Sequence, residues 1–114
     1  MLEPRLATHV RVRALRQSVE AEGGFAMVLK KGDPVSGTLL VQQLKNGRNP
    51  ALFEQMPGFD GPGEWLEIRQ ENPDNIQEYK DYLARRMDRD RDLWLVELDI
   101  ADAERLVVLL QSIG

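Results

Sequence analysis

The chain has 114 residues, of which 42% are hydrophobic and 30% charged, and it contains no cysteine. This composition is typical of a globular domain and too apolar for a disordered chain, and the lack of cysteine excludes disulfides, thiolate nucleophiles and cysteine zinc sites. We expect one domain over residues 1–114, which folds without metals or cross-links.

The net charge of −4 is unevenly distributed. Residues 1–57 hold 8 Lys and Arg against 5 Asp and Glu, whereas residues 58–114 hold 7 against 14. The basic group formed by Arg5, Arg11, Arg13 and Arg16 is expected to meet solvent or the acidic half of the same chain. With this acidic balance we do not expect nucleic acid as the main partner, since binding it depends on Lys and Arg neutralising phosphates.

The sequence shows no sign of export or membrane insertion. Its first residues lack a basic segment followed by a long apolar one, and the longest aliphatic run, residues 106–110, is too short to span a bilayer. The sequence therefore predicts a cytoplasmic location without membrane contact.

The first predicted element is a helix over residues 6–22, because Val12, Leu15 and Val19 recur at helical spacing. Gly23-Gly24 follows, where a helix end favours left-handed geometry. A short strand before a shorter helix remains an alternative, since residues 8–13 also alternate. His9 is the only histidine, and we expect it on the helix surface rather than as a general base.

Two short apolar strands, residues 25–29 and 38–44, come next. The connection between them contains Gly, Asp, Pro and Ser, which favour turns, so the pattern predicts a hairpin. Its strands are expected to supply the sheet interior through Met27, Leu29, Leu39 and Val41.

Further strands are predicted at residues 51–56 and 64–70. Asn46-Gly47 favours a tight turn before the first of them, and residues 57–63, with three Gly and two Pro, predict a loop between them. Such short connections require antiparallel neighbours, so the first four strands are expected to form a meander.

The rest of the chain predicts a helix, a strand and a helix. Residues 72–75 indicate the helix start, and an apolar stripe along the helix predicts that it packs on a core. Residues 93–99 are apolar enough for a central strand. The helix after Asp102 is expected to dock on the sheet, with a homodimer through this helix as an alternative.

The predicted fold is α+β. It has a mainly antiparallel sheet of four or five strands, an N-terminal helix, an amphipathic helix before the last strand and a C-terminal helix. We expect the helices to cover one face of the sheet.

No catalytic motif or metal-ligand pattern is present, and no cofactor is predicted. A calcium-like spacing at residues 88–92 lacks the required Gly at its sixth position and is interrupted by arginines. The candidate ligand-binding residues lie on Gly-rich loops, where amides and lysines can meet an anion; they are Lys30, Lys31, Gly32, Asp33, Ser36, Gly37 and Asp60. For the two aspartates, a turn residue bonding its own backbone is the commoner role.

The helix ending at residues 22–26, the turn Lys31-Gly32-Asp33-Pro34 with Gly37, and the run at residues 92–97 together resemble a family of small bacterial proteins catalogued as a domain of unknown function. The similarity spans residues 13–98, and the C-terminal helix looks like an addition to it. The resemblance implies a bacterial cytosolic protein but no activity. We expect an interaction module without catalysis; the alternative is a small-ligand or anion-binding protein, or an enzyme, using residues 30–37.

Overall fold

The computed structural model describes residues 6–114, so Arg5 of the basic group lies outside the described part. It contains three helices and one five-stranded sheet, which confirms the α+β class. In chain order the elements are α1 (Thr8–Ala21), β1 (Phe25–Lys30), β2 (Leu39–Lys45), β3 (Arg48–Gln55), β4 (Trp65–Gln70), α2 (Ile76–Arg89), β5 (Trp94–Asp99) and α3 (Ala103–Ser112).

The strands lie in the order β1-β5-β2-β3-β4. Strand β5 is antiparallel to β1 and parallel to β2, and the remaining neighbours are antiparallel. The predicted hairpin between β1 and β2 is therefore wrong, and the meander comprises only β2, β3 and β4.

Burial explains why β5 separates β1 from β2. Trp94, Val96 and Leu98 are buried on one face of β5 and Leu95 on the other, so this strand needs a neighbour at each edge and cover on both faces. Neighbouring strands are about 4.8 Å apart, and a connection across an inserted strand must span about 10 Å. Residues 31–38 are long enough to do so, and β1 remains at the edge.

The turn between β2 and β3 forms as predicted. Asn46 and Gly47 have φ angles of 53° and 77°, the left-handed region that a two-residue turn between antiparallel strands requires.

Helices cover both faces of the sheet, so the expected one-sided arrangement is wrong. Helices α1 and α3 pack on one face, where Leu15 and Leu110 are fully buried in the larger core. Helix α2 packs on the other face through Tyr79, against Leu40 and Leu52 of the sheet. The expected docking of α3 on the sheet is confirmed. Helices are needed on both faces because β2, β3 and β5 carry apolar side chains on both faces of the sheet.

Polar contacts fix α2 to the sheet. The Asn75 side chain accepts a hydrogen bond from the amide of Glu78 and caps the helix, as predicted. Arg86 forms a bidentate ion pair with Glu54 of β3, in which two guanidinium nitrogens donate to the two carboxylate oxygens at 2.9 and 2.8 Å. The Tyr79 hydroxyl donates to Gln42 at 2.8 Å, and burial raises the pKa of this phenol, which keeps it protonated. These contacts hold α2 over the centre of the sheet.

Candidate functional site

Strand β1 exposes three large apolar side chains in a row. Phe25, Met27 and Leu29 are 75%, 58% and 44% exposed, and we call these three residues the β1 row. The intervening Ala26 and Val28 turn towards the core under α1 and α3. The prediction that Met27 and Leu29 lie in the sheet interior is wrong, because the core beneath α2 contains no β1 residue within the described part of the chain.

Two carboxylates lie beside the β1 row on the neighbouring strand. Glu97 is paired with Met27, and Asp99 is paired with Phe25. Glu97 accepts a hydrogen bond from Gln42, and Asp99 accepts one from the amide of Asn46, so both side chains are held in place. The surface is thus apolar along its outer edge and acidic along its inner side.

The opposite edge of the sheet differs in character. Strand β4 exposes one large apolar side chain, Leu66 at 41%, and places the charged Glu67 and Arg69 close by in the same strand. Charged side chains are a common protection of edge strands against unwanted pairing. Strand β1 has no charged residue before Lys30. Its exposed apolar row therefore resembles a contact surface rather than a protected edge.

The predicted ligand loop, residues 30–37, is largely engaged in local bonding. The Asp33 carboxylate accepts hydrogen bonds from the amides of Val35 and Ser36 and from the Ser36 hydroxyl. The two backbone hydrogen bonds lower the pKa of Asp33, since they stabilise its charged form. This is the turn role considered for Asp33 from the sequence.

The same loop is fastened to the start of β5. The Lys30 ammonium donates to the carbonyls of Arg91 and Leu93 at 2.8 and 2.7 Å, and the Trp94 ring nitrogen donates to the Asp33 carbonyl at 2.7 Å. Lys31 is exposed. The ammonium of Lys30 is thus already used within the fold.

Both glycines of the loop lie against the backbone of Asp92. A Cβ atom on Gly32 or Gly37 would approach the Asp92 carbonyl oxygen to 2.0 or 2.2 Å, which is impossible without movement. These glycines are therefore explained by close backbone packing rather than by an anion cradle.

The loop also caps α1. The amides of Thr8 and His9 donate to the carbonyls of Val35 and Pro34, and the Thr8 hydroxyl donates to Gly37 at 2.7 Å. A helix start leaves such amides without partners inside the helix, so the loop satisfies them. His9 itself is exposed on the helix surface, as predicted.

A cavity of about 380 Å³ opens beside the end of this loop. Of the predicted ligand residues it includes Ser36 and Gly37, whereas Lys30, Lys31, Gly32, Asp33 and Asp60 are not in its lining. Asp60 is exposed in the separate connection between β3 and β4. The full lining is Leu6, Thr8, Arg11, Val35, Ser36, Gly37, Thr38, Leu39 and Gln55.

The basic N-terminal group divides in the fold. Arg11 is buried and donates to Gln55 at 2.9 Å and to the carbonyls of Ile113 and Gly114 at 3.3 and 2.8 Å. Its guanidinium also lies 5.9 Å from the ring centre of Trp65. Arg13 and Arg16 are exposed. Arg11 thus contacts other parts of the same chain, whereas Arg13 and Arg16 lie on a solvent-exposed face of α1.

Residues 6–114 contain neither a metal-binding cluster nor a membrane-spanning helix. They hold no group of three or more His, Asp or Glu side chains placed to bind a metal ion. No helix among them has the length and apolar content needed to cross a membrane.

Comparison with known proteins identifies relatives along nearly the whole chain. The model of a family described as a protein of unknown function, DUF1491, matches residues 6–108. This match reaches into α3, so the expectation that the C-terminal helix is an addition to the family pattern is wrong. No curated protein matches the chain.

Solved structures agree with this match. The crystal structure of a DUF1491 family protein from Caulobacter crescentus is 30% identical, with a TM-score of 0.71 over 89% of this chain and 94% of that one. A solution structure of an A. tumefaciens protein is 27% identical, with a TM-score of 0.73 over 93% and 95%. An NMR structure of a C. crescentus DUF1491 protein is 29% identical, with a TM-score of 0.71 over 90% and 92%.

Proposed function

The chain belongs to the DUF1491 family, and we propose that it acts in the bacterial cytoplasm as an interaction module, without catalysis, that binds another protein chain through the β1 row. The exposure of Phe25, Met27 and Leu29 on an edge strand supports this proposal most strongly. Burying a large apolar side chain contributes about 1.5 to 3 kcal/mol. Three such side chains in one row are enough to anchor a partner.

The edge position adds a second source of affinity. In the described part of the chain, β1 pairs only with β5, so its outer backbone groups face away from the sheet. A strand added there makes main-chain hydrogen bonds, while its alternate side chains contact the β1 row. Loop 30–37 then serves the module structurally, because it fixes the end of β1 to α1 and β5.

Serine substitutions on the β1 row test the proposal. The Phe25→Ser/Met27→Ser double variant is expected to retain the fold, since both side chains are exposed, and to lose the partner that the wild-type chain captures from native lysate. The two changes remove apolar contact area without charge repulsion. Capture is measured by quantitative mass spectrometry of the bound fraction.

Leu66→Ser on the opposite edge is the control, because Leu66 is the large apolar residue that β4 exposes, at 41%. It is expected to capture the same partner as the wild type. Equal capture by the double variant and this control, with both folded by circular dichroism, refutes the β1 row as the contact surface.

The cavity beside Ser36 supports a second candidate function, binding of a small anion. Its volume of about 380 Å³ falls in the range of small-molecule sites, and its lining combines the guanidinium-bearing Arg11 with the hydroxyl-bearing residues Ser36 and Thr38. Inorganic phosphate is expected to raise the unfolding midpoint relative to chloride at equal ionic strength. The Ser36→Ala variant should reduce this shift and Asp60→Asn should preserve it, while no shift for the wild-type chain refutes the anion site.

A further inference from the structure

We propose that the β1 row binds a second copy of this chain, with the two β1 strands paired antiparallel about a two-fold axis beside Met27. The inference rests on the proposed function, because it assigns a partner to the same surface. It joins the two five-stranded sheets edge to edge into one continuous sheet.

The row is complementary to itself in this arrangement. With Met27 opposite Met27 of the other copy, Phe25 lies opposite Leu29 and the core-facing Ala26 lies opposite Val28. Directly opposed side chains of an antiparallel pair point to the same sheet face. All three exposed apolar residues of each copy therefore contact one another, and the small core-facing residues meet on the other face.

Charge at the two ends of β1 favours the antiparallel direction. The exposed Lys31 lies just beyond its C-terminal end, whereas Asp99 and Glu22, which also pairs with Arg105, lie near its N-terminal end. The antiparallel direction brings Lys31, just after β1, towards the carboxyl end of α1 of the other copy, which lies just before its β1. Cations are stabilised at a helix C-terminus, and the symmetry repeats this contact twice.

The irregular part of β1 does not prevent this pairing. The register between β1 and β5 shifts between Val28 and Lys30, so the bulge is at Leu29, the last residue of the β1 row, which stays exposed on the strand beside the axis. The residues from Phe25 to Val28 remain in regular register, and the two-fold axis lies inside that stretch.

A single cysteine at the axis tests the register directly. Because the chain has no cysteine, Met27→Cys provides one thiol per copy, and opposed strand residues lie within disulfide reach. Under mild oxidation, Met27→Cys is expected to form mostly disulfide-linked dimer, whereas Leu66→Cys stays mostly monomeric. Equal cross-linking of the two variants overturns the proposal.

Analytical ultracentrifugation provides a second measurement that needs no cross-link. Met27→Lys places two like charges opposite each other at the axis and is expected to weaken self-association at least about tenfold, while Leu66→Lys has no effect. A wild-type chain that stays monomeric at all concentrations overturns the second copy as partner. The proposed interaction module stands even with a monomeric wild type if the wild type captures a different protein and the Phe25→Ser/Met27→Ser variant does not capture it.

Discussion

Replacing Trp94 with alanine is expected to lower the free energy of unfolding by about 3 to 5 kcal/mol. The indole is 5% exposed and belongs to the core under α1 and α3. Its ring nitrogen also fastens the loop after β1 to the start of β5 through the Asp33 carbonyl. The substitution therefore leaves a cavity and releases the loop together. Urea unfolding followed by circular dichroism measures the loss.

Trp94→Phe separates these two contributions. It keeps most of the buried ring but removes the hydrogen bond to Asp33, so a loss of about 1 kcal/mol is expected. If Trp94→Ala lowers the free energy of unfolding no more than Trp94→Phe does, the buried ring does not contribute to the core as described.

Replacing Gly32 with alanine is expected to cost about 2 to 3 kcal/mol, in the range of overpacking in a close-packed site. The added Cβ would lie 2.0 Å from the Asp92 carbonyl oxygen and 2.5 Å from its carbon, so the backbone of β1's end or of β5's start must move. The same movement disturbs the Asp33 turn. Urea unfolding gives the cost, and tryptophan fluorescence reports the environments of Trp65 and of Trp94, whose ring nitrogen is bonded to this loop.

Gly47→Ala is the control for this substitution. Gly47 has a φ of +77° and no atom within 4 Å of an added Cβ, so alanine there meets only the backbone strain of about 1 kcal/mol. Its fluorescence should match the wild type. An equal cost at the two positions contradicts the steric role of Gly32.

The sequence was sufficient to predict local structure but not strand order. The Asn46-Gly47 turn, the Asn75 cap and the apolar stripe of α1 act over a few residues, and the structure confirms them. The hairpin prediction failed because β5 competes for the same edge of β2 from over fifty residues away. That competition depends on burial on both faces of β5, which no local turn signal reports.

The same long-range competition is the reason why the β1 row could not be predicted from the sequence. Met27 and Leu29 were predicted to lie in the core, since large apolar side chains on alternate positions are typical of a buried face. They are exposed because β5 displaces β1 to the edge, beyond the cover of α2. The sequence signal for this site was the alternation of large residues with the smaller Ala26 and Val28, which indicates two different faces of β1. The cavity-lining roles of Thr8 and Gln55 carried no signal in the sequence.

The most direct test of the β1 row as a binding surface is the affinity of the captured partner for three purified proteins: the wild type, Phe25→Ser/Met27→Ser and Leu66→Ser. Calorimetric titration is expected to show at least about tenfold weaker binding by the double variant, corresponding to a loss of about 1.4 kcal/mol or more, and unchanged binding by Leu66→Ser. The same dissociation constant for all three proteins would contradict a binding role for the β1 row.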